Sequence, residues 1–525
     1  MTLRLPLAAL LAISIGLAAL GLGGWWWLQQ RSPLSLQNQL LHSPAAAQFL
    51  PRSANLTVYL EISPSQLPAY GRAVAPSRQR AAASAGLSQL RDGLFQAAGL
   101  DYSTELSEWI GKDSAVALTA APGAKGEPGW VLALSSRNPQ GARQFLQRFW
   151  QARSLAGGDL DISSYRGLGL ISSRGQARNT ANASASPLAT APLATALVND
   201  ELVLLASSRG LLEQALDSSQ VDALNQAHDP ALGGWLAQKP VGVALIRSDA
   251  SGLSSLLGLP ADWLAAHKLE GLVGSLRLQG ASLQLETALA SGAPGQGQPL
   301  GLAGQQLLNN LQLNPPLLAL ASGDSLLDPL LSGVAGSQAG SNAGPLLPAL
   351  RQAGASPLLL AKLADQGPWL AGSPLGSPEA EALDGPMAAA GYGAAELGEL
   401  RVWSQLTGES DRQGQLQANL AGASGLGQGQ RWWSNDLVSL REQLGKRGNK
   451  PARRQQLEAV NPEAKAVLAL ALDGAHSRQL LQHWPLWRGL QLAAARPLGP
   501  AVQGLALALT EEQDQLVINA RLDFP

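Results

Sequence analysis

Residues 55–62 read Asn-Leu-Thr-Val-Tyr-Leu-Glu-Ile, with a large aliphatic side chain at every second position. Successive side chains of a β-strand point to opposite faces of the sheet, so this alternation predicts a strand. One face of that strand carries Leu56, Val58, Leu60 and Ile62. Because only this face is aliphatic throughout, the pattern is typical of a half-buried strand.

Similar alternating runs occur elsewhere in pairs, with a short polar or glycine-containing turn between the two runs. Such pairs indicate antiparallel hairpins that have one solvated face. They occur at Ser275–Gln279 with Ser282–Glu286, at Leu400–Leu406 with Gln415–Leu420, and at Leu505–Leu509 with Gln515–Leu522. Several hairpins in one chain predict antiparallel sheets.

A helix is predicted to begin at Pro139. Asn138 can cap a helix, and proline fits the first helical turn because its missing N–H needs no partner there. The residues that follow place one apolar stripe at helical spacing, formed by Ala142, Phe145, Leu146, Phe149 and Trp150. Helices mixed with antiparallel hairpins predict an α+β fold.

A weak internal repeat indicates two related halves. Residues 241–249 and 467–473 each read as a strand that ends at a possible helix cap, and a predicted hairpin follows each of them. We therefore predict one half over residues 51–290, a flexible linker rich in Gly, Pro, Ser and Ala over 291–306, and a second half over 307–525. The alternative is that strand, cap and hairpin recur by chance in a chain rich in Leu and Ala.

The N-terminal region predicts a membrane anchor. No charged residue occurs from Leu5 to Leu28, and about 20 apolar residues suffice for a helix to cross a bilayer. Arg4 precedes this run and Arg31 is the first charge after it, so the N-terminus is expected inside and the body outside. The anchor is assigned to residues 1–31, and a polar, proline-marked linker to residues 32–50.

Three consecutive tryptophans support an uncleaved anchor. Indole rings prefer the headgroup level of a bilayer, so Trp25, Trp26 and Trp27 are the predicted membrane-interface residues. The alternative is a cleaved signal peptide, whose apolar region is shorter and ends near a small-x-small site. The nearest such site, Ala45–Ala47, lies well beyond the tryptophans.

Composition limits the classes of partner and cofactor. Formal net charge is −1 and charged residues make up only 14% of the 525 residues, so the sequence lacks the basic surface that binds nucleic acid. There is no cysteine, which excludes thiolate nucleophiles, Cys-ligated metals and disulfides. No cofactor is predicted.

The search for local catalytic or metal-binding motifs gives no candidate catalytic or metal-binding residue. His476 and His483 are seven positions apart and could share a helix face, but Pro485 argues against a ligand pair there. The basic run from Arg441 to Arg454 could meet anionic headgroups or simply be solvated. Trp432 with Trp433 could line an apolar groove or belong to the core.

Two segments carry a family resemblance. Residues 51–62 read Pro-Arg-Ser-Ala-Asn-Leu-Thr-Val-Tyr-Leu-Glu-Ile, and residues 109–118 read Trp-Ile-Gly-Lys-Asp-Ser-Ala-Val-Ala-Leu. Placed after an N-terminal anchor, they make the chain look like a cyanobacterial family of membrane-anchored proteins that is defined as a domain of unknown function. The resemblance implies an exported α+β body, and it implies no activity, cofactor or catalytic residue.

Three functions are consistent with these observations. The first is a membrane-tethered, extracytoplasmic, non-catalytic binding or envelope protein, in the plasma or thylakoid membrane with its body in the periplasm or lumen. The second is a carrier or chaperone for a lipophilic ligand. The third is a hydrolase whose site is assembled from distant residues. The expected partners are the membrane and a lipid or another protein, and no nucleic acid.

Overall fold

The structure is a computed structural model. It describes residues 32–120, 128–173, 193–255, 261–292, 297–322, 344–364, 367–410, 416–445, 452–494, 498–512 and 515–525. The predicted anchor over residues 1–31, with Trp25, Trp26 and Trp27, lies outside these ranges. Within them, no helix is both long enough and apolar enough to cross a membrane.

The chain folds into two compact units. The first comprises Met1–Arg247, Ser275–Ala281 and Ala493–Ala495, and the second comprises Ser248–Gly274, Ser282–Leu492 and Arg496–Pro525. Strands β8 (Ala244–Asp249) and β9 (Leu269–Gln279) each contain residues of both units. The predicted division into halves at residues 290 and 307 stays a prediction.

Seven described strands of the first unit form an antiparallel sheet. In chain order they are β1 (Leu56–Leu60), β2 (Ile110–Ala120), β3 (Pro128–Ser136), β4 (Leu160–Tyr165), β5 (Leu168–Ser173), β6 (Leu193–Val198) and β7 (Leu202–Ala206). Across the sheet the order is β1–β2–β3–β7–β6–β5–β4. The strand predicted at residues 55–62 is therefore confirmed as β1.

The helices of the first unit follow β1, β3 and β7. They are α1 (Gln66–Val74), α2 (Arg80–Ala97), α3 (Pro139–Leu155), α4 (Arg209–Ser218) and α5 (Pro230–Gln238). The predicted start of α3 is confirmed, because the side chain of Asn138 accepts a hydrogen bond from the amide of Gly141 at 3.2 Å. Its apolar stripe, with Phe145 and Phe149, packs into a core with Leu134 of β3.

The segment 32–50, predicted as a linker, is folded onto the first unit. Two short 3-10 helices, Pro33–Asn38 and Ala45–Gln48, occupy much of it. Leu36 is buried in a cluster with Ile62 and Val243, and Leu50 is also buried. The apolar side chains of this segment thus have partners that are distant in sequence.

Eleven described strands of the second unit form a longer antiparallel sheet. In chain order they are β10 (Ser282–Ser291), β11 (Leu317–Ala321), β12 (Leu358–Lys362), β13 (Trp369–Pro374), β14 (Gly393–Leu397), β15 (Leu400–Ser410), β16 (Leu416–Gly427), β17 (Gln430–Ser434), β18 (Leu468–Asp473), β19 (Gly504–Glu512) and β20 (Gln515–Asp523). Their order is β10–β20–β19–β18–β11–β12–β13–β17–β16–β15–β14. The predicted hairpins β15–β16 and β19–β20 are confirmed.

Helices of the second unit connect these strands. They are α6 (Ala250–Ser255), α7 (Ala261–Ala266), α8 (Gly301–Asn310), α9 (Leu346–Gln352), α10 (Asp384–Ala389), α11 (Leu437–Leu444), α12 (Ala452–Val460), α13 (Gly474–Gln482) and α14 (Pro485–Ala493). The core of the unit includes Leu307 of α8, Leu440 of α11, Leu457 of α12 and Trp432 of β17. The predicted flexible linker 291–306 overlaps α8, and Leu300, which directly precedes this helix, is buried.

One strand order occurs in both units. The order β1–β2–β3–β7–β6–β5–β4 of the first unit recurs as β11–β12–β13–β17–β16–β15–β14 in the second. The predicted α+β class, with antiparallel sheets and helices, is confirmed. Within the second unit, β10 pairs with β20 so that Ser282 faces Asp523 and Ala290 faces Gln515.

Candidate functional site

An apolar face of the first sheet forms the floor of a groove. Val58 of β1 lies opposite Val116 of β2, and Val116 lies opposite Leu132 of β3. One step along, Leu118 lies opposite Trp130. These cross-strand partners share one face because side chains alternate along each strand. They are only partly covered, and Val116 is 37% exposed.

The opposite face of β1 is more deeply buried, which corrects the half-buried strand predicted from the sequence. Thr57 and Tyr59 are fully buried, and Glu61 is 2% exposed. The Tyr59 hydroxyl donates to Oε1 of Gln226 at 2.8 Å, and Nε2 of Gln226 donates to Oγ1 of Thr57 at 2.9 Å. Polar side chains can be buried when they are hydrogen-bonded, and Gln226 supplies these bonds from far along the chain.

Helices α1 and α2 form the wall of the groove. They pack closely at Gly71, where an added Cβ atom would lie 2.6 Å from Cδ1 of Leu87. Leu67 of α1, together with Leu94 and Phe95 of α2, faces the floor strands. Leu94 is 42% exposed and lies at the rim.

The groove has a volume of about 310 Å³. Volumes of roughly 300–1,000 Å³ are usual for small-molecule sites in proteins, which places this groove at the lower end. Apart from Arg91 and Ser114, its lining is apolar: Val58, Leu60, Ile62, Pro64, Leu67, Leu94, Phe95, Ala97, Ala98, Ala115, Val116, Leu118, Trp130 and Leu132. Such a lining can bind an apolar molecule, and it offers little to orient a polar one.

Arg91 is the charged side chain of the groove lining. Its Nε and one terminal nitrogen both lie 2.8 Å from Oδ1 of Asp92, and its guanidinium stacks 4.0 Å from the ring centroid of Tyr102. Tyr102 in turn stacks on Phe95, with ring centroids 5.5 Å apart. The Arg91 side chain is 14% exposed and the Asp92 side chain 44%. These contacts hold the guanidinium in one place beside the apolar floor.

A buried carboxylate lies on the other side of β1. Glu61 accepts hydrogen bonds from the amide of His42 at 2.9 and 3.1 Å, and its Oε2 lies 3.4 Å from Nδ1 of His42. Burial raises the pKa of Glu61 above its ordinary value, and the contacts with His42 offset only part of this rise. This pair connects the folded segment 32–50 to the end of β1. Its contacts among the described residues are structural and do not indicate a catalytic role.

The second unit has a polar cluster at one end of β18 and β20. Asp473 caps α13 by accepting from the amide of His476 at 2.9 Å, and its Oδ1 also lies 2.8 Å from Nδ1 of that histidine. Burial would raise the pKa of Asp473, but the hydrogen bonds from His476 hold it below its usual value. The hydroxyl of Ser477 donates to the Asp473 carbonyl at 2.5 Å, so it is not directed at the histidine as a catalytic serine would be.

The two histidines considered as a metal pair have different hydrogen-bond partners. Nδ1 of His476 contacts Asp473, whereas Nδ1 of His483 lies 2.8 Å from the carbonyl of Gln479. Across the described part of the chain, no group of three or more His, Asp or Glu side chains is placed to hold a metal ion.

The tryptophan pair is buried, and Arg453 and Arg454 of the basic run have structural partners. Trp432 and Trp433 are buried in the second unit, so they belong to its core. Arg454 pairs with Glu458 at 2.7 Å. Residues 446–451 of the basic run lie outside the described residues.

The sequence did not predict the groove or Arg91. One signal was available: Arg91 and Phe95 are four positions apart, so they share a face of any helix that contains both. The alternation at residues 55–62 identified the floor strand, but the pattern alone could not show which of its two faces remains partly open.

Solved structures with some similarity to the chain are crystal forms III, I and IV of TP0453. They are 9%, 10% and 7% identical, with TM-scores of 0.26, 0.28 and 0.25. The alignments cover 47%, 48% and 46% of this chain and 80%, 80% and 79% of theirs. Similarity at this level supports no inference about function.

None of the curated proteins matches the chain. A family profile does match it, over residues 10–351. That range contains the anchor prediction from residue 10 onward, the groove, and both segments that carried the family resemblance. The cyanobacterial origin stays a prediction. The chain belongs to the family described as "Protein of unknown function (DUF3352)".

Proposed function

We propose that this protein is a membrane-tethered, extracytoplasmic binding protein whose groove holds an apolar, chain-like molecule. The observation that carries the proposal is the partly open groove of about 310 Å³ on the β1–β2–β3 face, with its almost entirely apolar lining. Of the functions consistent with the sequence, a carrier for a lipophilic ligand fits this groove best.

The strand order shared by the two units does not by itself leave the groove floor partly exposed. In the second unit, β11 and β12 occupy the positions that β1 and β2 occupy in the first. Counted from the start of each strand, Ala319 and Ala321 replace Val58 and Leu60, and both are buried at 2% and 1% exposure. Their partners Leu360 and Leu358 are buried as well. The same sheet order can therefore be fully covered, and a ligand is one way to cover the floor of the first unit.

Burial of an acyl chain would be favourable here. Each methylene transferred from water into an apolar site contributes about 0.8 kcal/mol. The aliphatic floor and the Phe95 ring offer such a site, while Val116 and Leu94 now remain 37% and 42% exposed. A bound chain would cover these side chains as well as its own methylenes.

The proposed tether ends close to one end of the groove. The predicted anchor stops at residue 31, and the next residues form the 3-10 helix Pro33–Asn38 on the body. Leu36 of this helix packs in one cluster with Ile62 and Leu67, which also line the groove. An anchor that leads directly into this helix would keep the groove near the membrane surface, where apolar ligands are abundant.

Binding rather than turnover is proposed because the groove lacks a catalytic set. Its polar lining consists of Arg91 and Ser114, which supply neither a general base nor a paired carboxylate. The location in the plasma or thylakoid membrane, with the body in the periplasm or lumen, is part of the same proposal. So is the relation of the two halves by duplication, which the common strand order supports.

Two alanines of α2 provide a matched test. Ala97 and Ala82 are both exposed, but only Ala97 lines the groove. Binding of dodecanol, a neutral chain, would be measured by calorimetry on the full-length protein in lipid nanodiscs, with protein-free nanodiscs as background. We expect saturable binding to the wild type and to Ala82→Trp, and at least about tenfold weaker binding to Ala97→Trp, since its indole would occupy the space of several methylenes. Absence of saturable binding to the wild type, or equal binding by all three proteins, would contradict the proposal.

A further inference from the structure

We propose that the ligand of the groove is a single-chain fatty acid, and that Arg91 receives its carboxylate. This inference rests on the proposed function and adds the chemical class of the ligand. It is carried by the position of one fixed cation on the wall of an otherwise apolar groove.

The volume favours one acyl chain. About 310 Å³ is near the lower end of the range for ligand sites, which suits one aliphatic chain better than the two chains of a phospholipid. The floor is mainly a row of aliphatic side chains, from Ile62 and Leu60 to Leu118, and Ser114 supplies its polar group. One hydroxyl offers little to orient a more functionalised molecule.

The head group is inferred from the guanidinium. Arginine presents five N–H donors in a planar fork that matches a carboxylate. Nε and one terminal nitrogen of Arg91 are directed at a single oxygen, Oδ1 of Asp92. Among the described residues, no further hydrogen-bond partner of Arg91 is found, so donors remain for a ligand. Stacking on Tyr102 fixes the plane of the fork before the ligand arrives.

Asp92 does not prevent this role. Its side chain is 44% exposed, whereas that of Arg91 is 14% exposed, so the aspartate lies toward solvent and the guanidinium toward the groove. Solvent screens the attraction of the partly exposed Asp92 carboxylate, and a second carboxylate can share the same guanidinium from its other edge. The ligand carboxylate would replace water at that edge and would be partly shielded by the apolar wall.

The test compares an acid and an alcohol of the same chain length. Arg91→Met keeps an apolar stem close in length to the aliphatic part of arginine and removes the guanidinium with its charge. Arg80→Met is the matched control, because Arg80 is an exposed residue of the same helix outside the groove lining. Affinity for dodecanoate and for dodecanol would be measured on the full-length protein in nanodiscs. We expect Arg91→Met to weaken dodecanoate binding at least about tenfold, as the loss of a charge-assisted contact predicts, and to change dodecanol binding less than about twofold.

Each of three other outcomes would overturn part of the proposal. If Arg91→Met binds both ligands as the wild type does, the assignment of Arg91 is overturned and the proposed function stands. If it loses both ligands equally, Arg91 acts by packing and the assignment is also overturned. If the wild type binds neither ligand, both the assignment of Arg91 and the proposed function are overturned.

A second measurement needs no variant. The affinity of the wild type for dodecanoate should fall as the pH is lowered and the ligand carboxylate is protonated, while the affinity for dodecanol should stay constant over the same range. A dodecanoate affinity that does not change with pH would overturn the assignment even if Arg91→Met failed to fold.

Discussion

The hydroxyl of Tyr59 donates to Oε1 of Gln226 across 167 residues of sequence, at a distance of 2.8 Å. Nε2 of the same amide donates to the carbonyl of Pro51 at 2.8 Å and to the hydroxyl of Thr57 at 2.9 Å. Gln226 is itself fully buried, so it satisfies three polar groups behind β1. This network holds the strand whose opposite face is the floor of the groove.

Replacing Gln226 should destabilise the first unit. Gln226→Leu removes the hydrogen-bond partner of the buried Tyr59 and Thr57 hydroxyls, which costs about 1–3 kcal/mol in the free energy of unfolding. The control is Gln220→Leu, since Gln220 is exposed, and its effect should stay within about 0.5 kcal/mol. Urea denaturation of both variants checks this; equal effects would show that the network does not stabilise the unit.

A charge on the groove floor should abolish binding of an apolar chain. Val116→Asp places a carboxylate where the ligand must exclude water, so we expect dodecanol binding to fall below detection. Val221→Asp is the matched control, because Val221 is 46% exposed and does not line the groove, against 37% for Val116. Circular dichroism would verify that both variants are folded. Undiminished binding by folded Val116→Asp would place the ligand elsewhere.

Protonation of the Asp523 carboxylate should make the second unit less stable in acid. Burial would raise its pKa, but hydrogen bonds from Arg521, Ser282 and Gln456 outweigh burial and hold the pKa below the ordinary value of 3.8. A carboxyl with a lowered pKa in the folded state stabilises the fold above its unfolded pKa, and this stabilisation is lost as the pH falls through the folded pKa. We therefore expect this contribution at neutral pH and its loss below 3.8.

Asp523→Asn tests this linkage. The variant should be less stable than the wild type at neutral pH, and the difference should shrink as the pH falls below 3.8. Asp222→Asn is the control, because the Asp222 side chain is 79% exposed. Thermal unfolding as a function of pH gives the comparison. A constant difference between Asp523→Asn and the wild type at every pH would refute the linkage.

The N-terminal anchor should remain attached to the mature protein. The uncharged run from Leu5 to Leu28 and the tryptophans Trp25, Trp26 and Trp27 motivate this prediction. Mass spectrometry of the protein purified from membranes should find peptides that precede Trp25, and protease added to spheroplasts should digest the body. A mature N-terminus near Gln48, or a body protected from protease while cytoplasmic markers are intact, would contradict the anchor and the topology respectively.

Local patterns in the sequence were sufficient to predict individual elements. The alternation around Leu56, the Asn138 cap and the paired runs of β15–β16 and β19–β20 all occur where they were predicted. Each of these features depends on periodicity or on a capping residue within a few positions, and such signals are contained in short stretches of sequence.

Burial could not be predicted in the same way. The alternation predicted that Thr57 and Tyr59 face solvent, yet both are fully buried. Their hydrogen-bond partner, Gln226, comes from a distant part of the chain. The groove depends equally on distant residues, since α2 must lie over β2 and β3 for Arg91 to meet the apolar floor. Non-local contacts of this kind leave no periodic signal in a single sequence.

Trp130 provides the most direct measurement of groove occupancy. Its side chain lies in the groove lining, and bromine quenches indole fluorescence only at short range. Full-length wild type and Trp130→Phe in nanodiscs would be titrated with ω-bromododecanol, and the difference between the two curves isolates Trp130 from the other tryptophans. We predict a saturable difference that unlabelled dodecanol reverses. Equal quenching of the two proteins at every concentration would contradict binding of an apolar chain in this groove.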